Sequence, residues 1–447
     1  MKPFRTHTAA VAAQTPAGGR PRPSTFRALR HRNYRLFFFG QLVSLIGTWM
    51  QTIAQQYLVY RLTGSATMLG AISLLGIIPL LPMSLWGGSL ADRFPKRSII
   101  LVTQTSMMLL AFILAALAWS GTVQVWHIML LSVLLAAANA VDMPARQAFI
   151  VDMVDGKEDL TNAIGLNSTI FNASRAIGPA VAGVAVATTG EAGAFFLNGL
   201  SFIAVIAGLL LMRLPPHTPP ERQATLSSHL WEGARYVRKE QTVLVLISLV
   251  AVSAFLSMPY STLLPVFSSK VLNVSAQPLL KALCSWASAM GLRCQSPDAL
   301  TFGLLSAATG VGALIGALFV ASLPPQARRG GWLTLGNLSF PALVVLMALS
   351  RSFAASLLLL MGIGFSFVIQ NALANTLIQV SVPDALRGRV MSFYTLTFQA
   401  MMRMGGMQAG LMGDAFGAPF AVGVGGLACL AYGAFVAWRY PGVRKMA

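Results

Sequence analysis

Acidic side chains are scarce in this sequence, and histidine and cysteine scarcer still. Against 32 Lys+Arg there are 13 Asp+Glu, 5 His and 3 Cys. The histidines are scattered and no Cys/His group has metal-ligand spacing, so no metal centre is expected. No Gly-x-Ser-x-Gly elbow and no phosphate-binding loop is present, which argues against a hydrolase and against self-powered ATP-driven pumping. With no constellation for bond-making chemistry, the chain does not read as an enzyme and no cofactor is implied. Charge of either sign is also short: 10% of the residues are charged and 55% apolar, too few charges to coat a soluble globule of 447 residues. Residues 1–35 are rich in Arg, Pro and Gly without an apolar core, so no cleavable signal peptide is legible there.

Long apolar runs are what the chain has instead. A helix needs about 20 apolar residues to cross a hydrocarbon core, and twelve such runs recur between Leu36 and Trp438. The predicted fold class is therefore an all-α membrane protein with twelve transmembrane helices, and the lipid bilayer is its first partner. The net charge of +19 does not point to nucleic acid, because the basic residues are spread through short loops and form no single patch. Their sidedness is informative. With the N-terminus in the cytoplasm, only Arg61, Lys270, Lys281, Arg293 and Arg351 fall in loops on the far side, which orients both termini inward in a bacterial inner membrane.

The apolar pattern divides the chain into units. Residues 1–35 form a basic tail, expected to be disordered; 36–213 hold six helices; 214–241, opening on Pro215, Pro216, Pro219 and Pro220, form a cytoplasmic linker. Within that linker Leu230, Ala234 and Val237 can lie along one face of a short surface helix. Residues 242–438 hold six more helices and an unusually long extracytoplasmic insert over about 267–300, and 439–447 form the second tail. Cys284 and Cys294 share that insert, which leaves a disulfide between them open; Cys429 reads as packing. An internal echo at about 227 residues pairs Gly178 with Gly405 and Gly183 with Gly410 and, one residue off register, Arg175 with Arg403.

Polar groups inside apolar runs mark the candidate site. The first helix carries Gln51 and Gln55 on one face, and amides are costly in lipid, so they should look inward, either onto a water-filled cavity or into interhelical hydrogen bonds. Asn139 and Asn371 are further inward candidates. Asp142 is the one acid placed well inside a span. Its i,i+4 neighbour is Arg146, so the two form a salt bridge or, alternatively, Asp142 is a protonatable coupling group or part of a gate, with protons as the ion. Arg175 and Arg403 sit near mid-bilayer and cannot readily lose their charge. They either bind an anionic substrate or hold their helices to neighbouring carbonyls and amides. Gly178-Pro179 reads as a bend, or as a packing device, in the fifth helix.

The charged elbow between the second and third runs, Gly88-x-Leu90-Ala91-Asp92-Arg93-x-x-Lys96-Arg97, resembles the signature of the major facilitator superfamily, with Pro95 where glycine is more usual. The segment Asn172–Gly183 is similar to the antiporter signature of exporters in that superfamily, although Ser174 and Ala182 replace preferred glycines. The run Gly40–Gln51, with Leu62–Ser65 and Pro144–Gln147, is similar to the enterobactin-exporter-like branch. The resemblance implies two pseudo-symmetric six-helix bundles around one small-molecule site, tilting to expose it to either side in turn. It also implies a conformational latch at Gly88, Asp92, Arg93, Lys96 and Arg97, with Asp92 meeting the start of the eleventh helix near Arg387–Ser392, and outward movement of a siderophore or drug-like amphiphile by a monomer. The alternatives are a lipid or lysolipid flippase of the same fold and, more remotely, a non-transporting multipass protein.

Overall fold

A computed structural model describes residues 26–79, 82–83, 94–154, 156–214, 226–289, 294, 296–324 and 326–446. Among the described residues there is no β-strand. Helix α1 (Arg32–Thr63) stops at Gly64, whose φ of 62° only glycine adopts cheaply. Ser65 then caps α2 (Ala66–Leu75) by accepting from Met68 N. Helix α3 (Lys96–Trp119) starts directly after Pro95, and α4 (Val125–Phe149) is opened by a reciprocal Gln124–His127 capping box.

The helical run Lys157–Leu211 is two spans, α5 over 157–189 and α6 over 191–211, because Gly190 leaves helical geometry (φ 72°, ψ 176°). The chain reverses there. Glu158 pairs with Arg27 while Arg213 binds Asn33, so both ends of the run lie beside the start of α1. The linker helix α7 (Leu226–Lys239) is followed by α8 (Gln241–Leu256) and α9 (Tyr260–Val266), which together make one span interrupted before Pro259. The insert carries α10 (Asn273–Ala289). Helices α11 (Pro297–Ser322), α12 (Arg329–Leu349), α13 (Phe353–Ser381), α14 (Asp384–Phe416) and α15 (Ala418–Arg439) complete the second half.

Among the described residues nine helices are long and apolar enough to cross a membrane. One of them is the double run through Gly190; α2 begins a further span, and α14 is diluted by Asp384, Arg387, Arg389, Arg403 and Asp414. These three account for the twelve expected. The first and last described segments, Arg27–Arg30 and Pro441–Lys445, lie at one end, here called the terminal end.

The hydrophobic core is one body at the opposite end and two bodies at the terminal end. Opposite the termini, Leu58 and Leu69 of the first half pack in one cluster with Leu263, Phe302 and Leu360 of the second. Toward the termini, Tyr34, Phe37, Ile100 and Phe202 form a core private to the first half, and Leu246, Leu333, Leu373 and Val390 one private to the second. Among the described residues, apolar burial therefore joins the halves only at the end away from the termini.

One expectation is corrected. Residues 27–35, assigned above to a disordered tail, are ordered: Arg27–Arg30 form a 3₁₀ turn and α1 already begins at Arg32. The cause is charge, since Arg27, Arg30 and His31 pair with Asp159 at the start of α5 and Tyr34 donates to Ala163 O at 2.8 Å. Helix α5 keeps helical backbone geometry through Gly178 and Pro179, and Gly178 gives the Trp49 Cβ room to approach, which is the packing role open to it. Cys284 and Cys294 are bonded, and α10 lies on the body of the protein through buried Leu272, Ala276 and Leu280.

Candidate functional site

Two seams join the halves. In one, α5 meets α11: Gly183 faces the Cα of Gly303 at a distance that leaves a Cβ only 3.1 Å, and Gly310 lies against Ala176 and the carbonyl of Arg175. In the other, α2 meets α14: a Cβ on Gly70 would stand 2.5 Å from Gly406 O, and one on Gly410 equally close to Ala66 O. Small residues permit this approach, as in other membrane helix pairs. The second seam also has a polar clasp. Asp414, at the end of α14, accepts from Ser65 Oγ (2.5 Å), Ala66 N (2.7 Å) and Thr67 N (2.9 Å), placing a carboxylate on the open N–H groups of α2. No motif suggested this partner; Ser65 as a cap was the only local signal.

Between the seams and the terminal end lies a cavity of about 370 Å³. It is lined from the first half by Gln55, Gln56, Ser73, Ser132 and Asn139 and from the second by Thr262, Gln399 and Arg403. Gln55 donates to Ser132 Oγ at 2.7 Å and Asn139 to Leu135 O at 3.0 Å, so each amide keeps its carbonyl oxygen for another partner. Arg403 reaches across from α14 and donates to Ser73 O at 3.0 Å, in space that exists only because residue 76 is glycine. Its Nε is buried and has no acceptor among the described residues. No carboxylate lines the cavity among the described residues, so the guanidinium is the one charge there.

The other sequence candidates fall elsewhere. Gln51 is buried against Asn198, which donates to its Oε1 at 2.5 Å, inside the first half. Arg175 lies between aromatic faces, 6.0 Å from the Trp49 ring centroid and 5.5 Å from that of Phe367, and so bridges the halves by cation–π contact. Asn371 lies against Tyr394. Asp142 is fully buried and satisfied: Arg146 Nε sits at 2.5 Å, Thr103 Oγ1 donates at 2.7 Å and Gln104 Nε2 at 3.1 Å, while Arg146 also donates to Gln41 Oε1. The pairing alternative is thus the geometry observed. Of the elbow, Lys96 pairs with Asp152 at 2.9 Å and Arg97 donates to Leu210 O at 3.0 Å, both within the first half. Gly88, Asp92 and Arg93 lie outside the described residues.

The family model described as a transmembrane secretion effector matches residues 23–279 and 290–445. The staphyloferrin A transporter of Staphylococcus aureus is 29% identical over 53% of this chain, an alignment that spans 59% of that relative's length. The multidrug efflux pump Tap of Mycolicibacterium fortuitum is 22% identical over 86% of this chain and 89% of its own. Among solved structures, a bacterial homologue of the human lysosomal transporter Spinster, in an inward-facing and unoccupied conformation, superposes with a TM-score of 0.60 at 15% identity, covering 93% of this chain and 96% of that one. This multipass membrane protein has the major facilitator fold, and the chain belongs to the transmembrane secretion effector family of that superfamily.

Proposed function

We propose that the protein is a secondary active exporter that carries an anionic, amphiphilic compound of siderophore or drug-like kind out of the cytoplasm. The observation that carries this reading is the cavity between the halves, whose one charged group among the described residues is Arg403. A bare guanidinium away from bulk water favours a carboxylate, phenolate or phosphate over a cation. Both termini are assigned to the cytoplasm, a reading the distribution of basic residues supports. The end joined by a common core is then extracytoplasmic, and the arrangement is inward-facing, the state that accepts a cytoplasmic substrate. Gln55 and Asn139 supply hydrogen bonds beside the arginine. In the outward-facing state the closing contact on the cytoplasmic side is assigned to Asp92 against the start of α14, so Asp92→Asn should lower export at normal expression.

The test is transport by proteoliposomes of a matched pair of fluorescent dyes, one carboxylate and one quaternary ammonium. Losing a hydrogen bond to a charged group costs about 1.5–3 kcal/mol. Arg403→Gln is therefore expected to slow the carboxylate dye by at least about tenfold and to leave the cation unchanged or faster. Equal loss of both dyes would reduce Arg403 to a packing role.

A further inference from the structure

A second pocket, of about 300 Å³, lies where the extracytoplasmic ends of the halves meet, away from the central cavity. Tyr60 of α1 lines it from one half; Lys270, in the turn after α9, and Gly417-Ala418 at the start of α15 line it from the other. Three of its groups are unspent. The Tyr60 hydroxyl is buried, the residue being 8% exposed, and has no hydrogen-bond partner among the described residues. The Lys270 ammonium stands 5.9 Å from the Tyr60 ring centroid and pairs with no carboxylate among the described residues. Helix α15 has no side-chain cap, and its first turn opens on this pocket with the positive end of the helix dipole.

Asp414 also lines the pocket, but its two oxygens already take three donors from Ser65, Ala66 and Thr67. A buried hydroxyl without a partner is costly unless something fills the site. An ammonium, a phenol and a helix N-terminus converging on one pocket match a small oxyanion, as at other helix N-termini.

We infer that this pocket is an extracytoplasmic binding site for a small oxyanion, a carboxylate or a phosphate. The anion would touch Tyr60 in one half and Lys270 and α15 in the other, so it occupies a space that exists only while the extracytoplasmic seam is shut.

The probe is radiolabelled citrate, measured by equilibrium dialysis on the full chain in phosphatidylcholine nanodiscs. The Arg403→Gln background silences the central cavity. Saturable binding is expected, weakened at least tenfold by Lys270→Gln and several-fold by Tyr60→Phe, while Lys270→Arg stays within threefold of the parent. Repeating the titration with phosphatidylglycerol in the nanodisc separates sources: unchanged citrate affinity assigns a water-borne anion, and competitive loss assigns a lipid headgroup phosphate. No saturable binding in zwitterionic lipid, or equal binding after Lys270→Gln, overturns the site.

Discussion

Gly303 sits where α11 touches α5, and adding one methyl group there tests whether the seam is a moving part. A Cβ at this position would stand 2.6 Å from the Gly183 Cα, 2.7 Å from Pro179 O and 2.8 Å from Gly183 N. Optimal carbon contacts are about 3.5–4.0 Å, so the two helices must part by about 1 Å. All three obstacles are backbone, and no rotamer change can relieve them. Overpacking of this kind costs about 1–3 kcal/mol. In an alternating-access carrier the cost falls only on the state in which this seam is shut. The ratio of molecules open at this end, opposite the termini, to molecules closed there should then rise about 5- to 150-fold in Gly303→Ala. Spin labels at exposed Thr122 and Arg351, on opposite halves of that end, read the change as a new long-distance population. Gly165→Ala is the control, because a Cβ there meets nothing within 4 Å. A Gly303→Ala protein that folds and shows the parent distance distribution would refute the claim that this contact separates during transport.

Two further substitutions separate structure from gating. Asp142→Asn leaves Arg146 beside a neutral partner in a buried network, and breaking such a pair costs about 3–5 kcal/mol. A marked fall in the thermal midpoint is expected, with partial recovery in Asp142→Asn/Arg146→Gln; an unchanged midpoint would mean the network adds nothing to stability. Asp414→Ala removes the clasp on α2, worth about 1–2 kcal/mol for a helix cap in a favourable setting. The same label pair should show the open population rise about five- to thirtyfold, and no change would mean the clasp adds nothing to the lock.

Much of the architecture was legible because it depends on composition along the chain. Apolar runs, their lengths and the asymmetry of Lys and Arg reflect the bilayer itself, and α7 follows from the face shared by Ala234 and Val237. The site was legible in part: Gln55, Asn139 and Arg403 converge on one cavity, and Asp142 finds Arg146 because i,i+4 spacing is local. For Gln51 the sequence left two destinations open, a cavity or an interhelical hydrogen bond, and could not choose between them because its partner Asn198 is distant in sequence. Arg175 shows the same limit, since sequence places a cation at mid-membrane without revealing that Trp49 and Phe367 flank it. Asp414 went unnoticed because an acid at a helix end reads as an ordinary rim residue until α2 is brought beside it.

The repeat of about 227 residues acquires a mechanical meaning once its glycines are placed. Gly178 of α5 packs on Trp49 of α1, and its counterpart Gly405 of α14 packs on the backbone of Phe255 in α8, each within its own half. Gly183 and Gly410, the second pair, face α11 and α2 of the other half. Helices α5 and α14 thus grip their own bundle with one glycine and the opposite bundle with another. Rigid tilting should break the second set of contacts and preserve the first. Gly405→Ala is therefore expected to lower the thermal midpoint without moving the distance distribution across the end opposite the termini. Gly410→Ala, whose Cβ would stand 2.5 Å from Ala66 O, should shift that distribution toward the open form. If both substitutions shift the distances equally, the bundles do not move as rigid bodies and α14 must slide within its own half.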